Sequence, residues 1–464
     1  MTERSGERRV VIVGAGITGL ACAHRILRGD PSIAVTVLEA SGHTGGLIRT
    51  SPFAGHAHVD EAADAFLLRN PAARRLADEI GLSGLLTSPA NGHASVWHGR
   101  LHRLPENLLL GVPTNVLSLA RSRLISPLGK MRAALEPLLP RTALDDDCLG
   151  RLIRRRFGNE VHERLVDPLV GSIYAADTDD FSLQGMPQLY ELALEGRSLL
   201  LSARRRPKAP PVSPDNPVFA APVAGMQALT DAVHSEVVRL GGVVHTGRTV
   251  RSITKSTGGL SVHCDGVAAL DADHVVLCSP ARSTGAWLTE SAPQAGRLLT
   301  SWQHASVVMV ALAFPRRAMP KTATGSGYLV PKPDQRFVTA VSFASQKWAH
   351  LDDGEHAVLR VSLGRDGMPL HQHSDEELLS FALADLKMHL DIDITPRDVR
   401  LTRWVDSFPQ YRPGHFERVV HVERHLADEL PNVHLAGASY RGIGVPACVQ
   451  QANTVAERIL TQRG

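Results

Sequence analysis

A chain of 464 residues, 43% hydrophobic and 21% charged, has an ordinary globular composition and enough length for two or three domains. A net charge of +3 is too small an excess to argue for nucleic acid, and no apolar run long enough to span a bilayer occurs. Five scattered cysteines (Cys22, Cys148, Cys264, Cys278, Cys448) exclude a disulfide framework or a CxxC metal site, and fit reduced thiols in the cytoplasm.

The charged start MTERSGERR leads straight into a strand at 8–13, with no signal peptide read before it. GAGITG follows, then a helix at 20–27 and a second strand at 35–39, which together make a βαβ unit. From about 70 to 206 the texture is helical, with helices at 71–80, 144–157 and 160–166. Residues 113–139 also have helical spacing, broken at 127–129 by Pro127 and Gly129. Basic residues crowd 100–132, 151–156 and 204–206, as solvated helix faces or as a rim for an anionic substrate or membrane surface. Residues 204–217 read as an exposed linker. A helix at 226–240 precedes strands at 243–245, 249–250, 260–265 and 274–278. Alternation at 307–314 and 357–363, with a helix at 375–390, indicates a separate sheet-bearing domain, and a helix at 449–460 closes the chain.

The expected fold is α/β: a Rossmann-type dinucleotide-binding domain assembled from 1–88, 207–285 and 406–464, a helical insertion at 89–206, and an α+β substrate domain at 286–405. Gly14, Gly16 and Gly19 form G-x-G-x-x-G between strand and helix, so that Ala15, Ile17 and Thr18 lie on the same phosphate turn. Glu39, about twenty residues further on, stands where a carboxylate accepts from ribose hydroxyls, with Ala40 after it. A second diglycine, Gly45–Gly46, followed by Leu47 and Arg49, fits another close backbone approach to the same diphosphate and favours FAD over NAD. No second G-x-G-x-x-G is present for NADPH, which points to oxygen or another diffusible acceptor. No metal-ligand spacing occurs among the 22 histidines, and no catalytic dyad or triad is expected.

The chain resembles the FAD-dependent porphyrinogen oxidases, the protoporphyrinogen and coproporphyrinogen III oxidases. The resemblance is carried by 14–19, 45–50, 59–71 (VDEAADAFLLRNP), 101–113, 167–183 (DPLVGSIYAADTDDFSL), 403–415 (RWVDSFPQYRPGH) and 434–448 (HLAGASYRGIGVPAC). Other amine oxidases share the ends but not 167–183 or 403–415. The chain departs from the family at 224–225 (Ala-Gly for paired glycines), at 62–64 (Ala-Ala-Asp) and at 449–453 (VQQAN).

The resemblance implies that hydride leaves a meso carbon of the porphyrinogen for the flavin, a proton leaves an N–H, and oxygen becomes peroxide over three rounds. It places Ala62, Ala63 and Asp64 over the flavin ring and Val250 at the adenine. It puts Gly437, Ile443, Gly444 and Val445 at the pyrophosphate or ring, with the helix after Pro446 aimed at the flavin O2 region. Trp404 stacks near the flavin or is a core tryptophan. Arg69 pairs with a substrate propionate or caps an exposed helix start. Ile173 and Tyr174 line the macrocycle cavity or pack in the core. Arg121, Arg123, Arg132, Arg151 and Arg154–Arg156 favour the four-carboxylate coproporphyrinogen, with protoporphyrinogen as the alternative. An amine oxidase or desaturase-like paralogue and a tetrapyrrole carrier are the other readings. Whether the chain is a monomer or a homodimer, and whether it touches a membrane surface peripherally, stays open.

Overall fold

The structure, a computed structural model, describes residues 8–90, 92–106, 108–206 and 216–462, so most of the linker read at 204–217 lies outside the described residues. Five parallel strands form the first sheet, in the order Val243–His245, Ala34–Leu38, Arg9–Val13, His274–Leu277, Val433–Leu435. A parallel sheet is covered on both faces, so its strands must be apolar on both. The central strand RVVIV meets this requirement: Val10 and Ile12 enter one core, with helices Ile17–Gly29, Gln227–Arg239 and Val445–Thr461. Val11 and Val13 enter the opposite core, with helices Ala281–Leu288, Pro293–Thr300 and His415–Glu429.

The second sheet has seven strands, in the order Asp398–Pro409, His304–Pro315, His356–Leu363, Val338–Phe343, Gly327–Leu329, Ser95–Trp97, Leu101–Arg103. One face, with Val308, Val310, Leu312, Leu359 and Val361, packs on Leu378, Ala382 and Leu386 of helix Asp375–Leu390. The other face carries Val307, Met309 and Ala311, with Arg360, Arg400, Thr402 and Trp404 opposite them in register. Ala311 joins the core of the first sheet, so this mixed apolar and cationic face looks toward the dinucleotide-binding body.

Three expectations need correction. Residues 95–97 and 101–103, read within a helical stretch, are the last two strands at one side of the large sheet; three-residue strands leave no alternation to detect. The break read at 127–129 is instead the start of helix Pro127–Ala134: Pro127 occupies the first turn, where its missing N–H costs nothing, and Ser126 Oγ accepts from Gly129 N at 3.1 Å. The helix read at 144–157 begins only at Leu149. Among the described residues no helix is long and apolar enough to cross a membrane.

Candidate functional site

At the end of the central strand Gly14 takes φ 104° and donates its N–H to Leu38 O at 2.7 Å. A Cβ on Gly19 would sit 1.9 Å from Gly14 O, so only glycine lets this helix close on the strand. The second glycine pair packs back to back with the turn. Gly45 N donates to Ala15 O at 2.9 Å, and a Cβ on Gly46 (φ 62°) would lie 3.3 Å from Gly16 Cα. Ile17 and Thr18 are buried behind this cradle, whereas Leu47 and Arg49 are exposed beyond it.

Glu39 braces the turn. One carboxylate oxygen accepts from Ala15 N at 2.8 Å and keeps a lone pair for a ribose hydroxyl; the other accepts from both Ser41 N and Ser41 Oγ, each at 2.9 Å. Ala40, next to it, is exposed. Arg248 N donates to Glu39 O at 2.7 Å and Gly247 N to Ser41 O at 2.8 Å, which draws the start of strand Val250–Ser256 beside Glu39. The Val250 side chain itself is committed to the core that contains Leu38.

The C-terminal helix begins close by. Gly437, at φ 129°, holds its N–H 3.3 Å from Gln451 Oε1, and a Cβ there would be 3.7 Å from Thr18 Oγ1. Gly444 is the N-cap of helix Val445–Thr461 and is exposed, and Val445 is buried. Half-buried Ile443 packs toward the helical region. Neither this helix nor Ile17–Gly29 has a side-chain cap, so both N-termini keep unpaired amides. Uncapped amides, a glycine cradle that a Cβ would fill and a ribose-reaching carboxylate fit a dinucleotide diphosphate.

Residues 61–64 cross from this body to the large sheet. The Asp64 side chain is engaged from the sheet: it is 2.8 Å from Lys347 Nζ, 2.9 Å from Arg360 Nη1 and 3.3 Å from Trp348 Nε1. Burial by itself raises the Asp64 carboxyl, but Lys347 and Arg360 outweigh it and hold it well below the ordinary carboxylate range. Ala62 offers its carbonyl to Arg360, and Ala63 is exposed. Trp404 is 7% exposed and donates Nε1–H to Glu61 O at 3.3 Å, so it braces this segment from the sheet. A small cleft bordered by Asp60, Asp64, Trp348 and Arg360 lies here; Arg69, Ile173 and Tyr174 do not border it.

The predicted substrate residues fare differently. Arg69 is exposed and has no ion pair among the described residues; Asn70 beside it bonds Gln450 at 2.8 Å, which ties this loop to the C-terminal helix. Ile173 is 47% exposed. Tyr174 is 8% exposed and packs on Phe181 and Tyr411 at ring distances of 4.7 and 5.7 Å, so its ring belongs to the core and not to a cavity wall. Ala175, which follows it, packs with Val307, and Val307 stands opposite Trp404, so buried apolar packing links this helix end to the strand that braces residues 61–64.

Most of the arginines offered as carboxylate partners are already engaged. Arg154 binds Asp179 at 2.9 Å and Glu163 at 2.7 Å, and Arg156 is buried against Glu136 at 2.8 Å. Arg132 caps the carbonyls of Arg155 and Arg156, and Arg151 and Arg155 face Asp146. Arg121 and Arg123 remain exposed, without ion pairs among the described residues.

Three distant motifs meet around Tyr411, whose part sequence reasoning missed. Its hydroxyl donates to Ala438 O at 2.6 Å and accepts from Gly442 N at 2.7 Å, which fastens the glycine loop before the last helix. His415 Nε2 lies 2.9 Å from Tyr440 O, and Gln410 Nε2 donates to Tyr174 O at 3.2 Å. Asp167 is likewise structural, with both oxygens 2.9 Å from Arg365. One signal was readable: Arg360 interrupts the apolar strand HAVLRVSL, where a charge needs a buried partner.

A model of the flavin containing amine oxidoreductase family matches residues 17–460. The coproporphyrinogen III oxidase of Bacillus subtilis (strain 168) is 32% identical over 468 residues, covering 98% of each chain. That of Mycobacterium leprae (strain TN) is 33% identical over 466 residues, covering 99% of each. A crystal structure from Exiguobacterium sp. 255-15, provisionally named a protoporphyrinogen oxidase, superposes with a TM-score of 0.85 at 28% identity, covering 99% of this chain and 100% of its own. A match running from the first helix to the last, with relatives aligned over almost their whole length, makes this chain a member of the flavin-containing amine oxidoreductase family, an FAD-dependent enzyme of its porphyrinogen oxidase branch.

Proposed function

We propose that the protein oxidises coproporphyrinogen III to coproporphyrin III, with oxygen as acceptor, in haem biosynthesis. The observation that carries this reading is full-length similarity to two coproporphyrinogen III oxidases. Bound FAD would supply a two-electron acceptor for hydride from a meso carbon, with oxygen as the final oxidant and peroxide as its product. Six hydrogens leave in three rounds, each as one hydride and one proton; tautomerisation returns one meso proton to nitrogen, so the net loss is four meso hydrogens and two N–H hydrogens.

The chain's residues bind, orient and exclude water. Gly14–Gly19, Gly45–Gly46 and the amides at Gly444–Val445 hold the diphosphate, and Glu39 takes a ribose hydroxyl. Ile173, exposed at its helix end, offers apolar surface to the macrocycle. Arg69, free of other ion pairs among the described residues, supplies a cation for a propionate. Arg121 and Arg123 are exposed, as are Leu117, Leu128 and Leu138 in the same stretch of chain, a combination that supports peripheral contact with an anionic membrane surface by a cytoplasmic protein.

The test is steady-state turnover of the purified yellow protein in air, read by porphyrin fluorescence and peroxide. Coproporphyrinogen III is expected to give the higher kcat/KM; equal or greater kcat/KM on protoporphyrinogen IX would reverse the substrate assignment. Flavin reduction by neither porphyrinogen would sink the activity altogether.

A further inference from the structure

We infer that Arg360 is a positioning residue that, with Lys347, fixes residues 61–64 from the sheet side and so sets where that segment meets the cofactor. This rests on the reading that residues 61–64 border the flavin ring. The segment has no helix or strand of its own to hold it. Its order comes instead from donors on the large sheet and the short helix attached to it. Arg360 Nη1 lies 2.9 Å from an Asp64 oxygen, and Nη2 donates to Ala62 O. Lys347 Nζ reaches both Asp64 oxygens, at 3.0 and 2.8 Å. Trp348 Nε1 adds a bond to Asp64 at 3.3 Å, Trp404 Nε1 one to Glu61 O at 3.3 Å, and Thr402 Oγ1 one to Glu61 Oε2 at 3.4 Å.

Charge neutralisation accounts for only part of this arrangement. Lys347 and Arg360 face two neighbouring carboxylates, Asp64 and Asp60, but neutrality does not require the second arm of Arg360, which grips the backbone two residues before Asp64. The guanidinium fork fixes a side chain and a carbonyl together, which a lysine ammonium cannot do with the same geometry. Arg360 is itself 6% exposed in an otherwise apolar strand, so its position is set by the sheet register opposite Ala311. Ala63, between the two gripped residues, is exposed. The sheet therefore dictates the placement of a segment that belongs, in chain order, to the dinucleotide-binding body.

The experiment compares Arg360→Met and Arg360→Lys with the parent holoenzyme. The readouts are the FAD dissociation constant, the visible flavin bands, the flavin midpoint potential and urea unfolding of the apoprotein. Arg360→Met is expected to raise the FAD dissociation constant at least tenfold and to shift bands and potential. Arg360→Lys is expected to recover apoprotein stability but not the flavin signature. Loss of stability alone in Arg360→Met, with bands, potential and affinity unchanged, overturns the inference. Should Arg360→Met fail to fold, Lys347→Met carries the same readouts, with a smaller shift expected and an unchanged flavin signature overturning the inference. Ala63→Trp tests the underlying reading by itself: a shortened flavin fluorescence lifetime places residues 61–64 beside the ring. An unchanged lifetime sinks that reading, and the inference with it, whatever Arg360 does.

Discussion

Asp167 and Arg365 show how much one buried pair can hold. They are 0% and 5% exposed, doubly hydrogen-bonded, and joined by Thr178 Oγ1, which donates to Asp167 at 2.7 Å. Burial would raise the Asp167 carboxyl, but the Arg365 guanidinium outweighs it and keeps it low. Removing one partner strands the other charge, which costs about 3–5 kcal/mol. Arg365→Met is therefore expected to lower unfolding free energy by roughly that amount, measured by urea titration. In the sequence Asp167 stood out only as part of a family motif, because its partner lies 198 positions away. Tyr174 carried two readings for the same reason: an aromatic residue near a helix end reads alike whether it faces a cavity or, as here, Phe181 and Tyr411.

Loops and helix ends carry the next layer. Tyr411→Phe leaves Ala438 O and Gly442 N without their shared partner, at about 1–3 kcal/mol for each buried group. The expected result is weaker FAD retention on gel filtration together with lower thermal stability. Two buried histidines make this region acid-sensitive. His415 is pushed down to about 4 by burial, with Arg418 and Arg441 adding to the shift and the Tyr440 carbonyl opposing it. His434, on the last strand of the parallel sheet, is pushed down to about 4 by burial and then by His274. Below about pH 6.5 the unfolded chain binds protons that the folded chain refuses, so stability rises with pH between about 4 and 6.5. The contribution is complete above about 6.5 and lost as pH falls toward 4, at roughly 3 kcal/mol for each histidine. A urea midpoint that does not fall between pH 7 and pH 5 would contradict this assignment.

Over the whole molecule, cofactor and fold are linked. The diphosphate cradle joins two helix N-termini with the 45–50 loop, and residues 61–64 join that body to the large sheet. Ligand that binds only the folded state stabilises it by about 4 kcal/mol at free concentrations near 1,000 times the dissociation constant. FAD removal is expected to lower the Tm, and titration back to restore it in a concentration-dependent way; a Tm indifferent to FAD would contradict the linkage. Local chemistry made the βαβ unit, the glycine cradle and Glu39 readable in the sequence, because a strand, a turn needing positive φ and a helix start are all short-range. Strands such as His304–Pro315 and His356–Leu363 were also legible, since alternation is a two-residue signal. The tertiary structure alone decided which carboxylates meet which cations. Register across the large sheet brings Arg360 and Lys347 to Asp64 across 283 or more positions of chain and occupies most of the helical arginines elsewhere, and no local pattern encodes a pairing that exists only after the two sheets have packed.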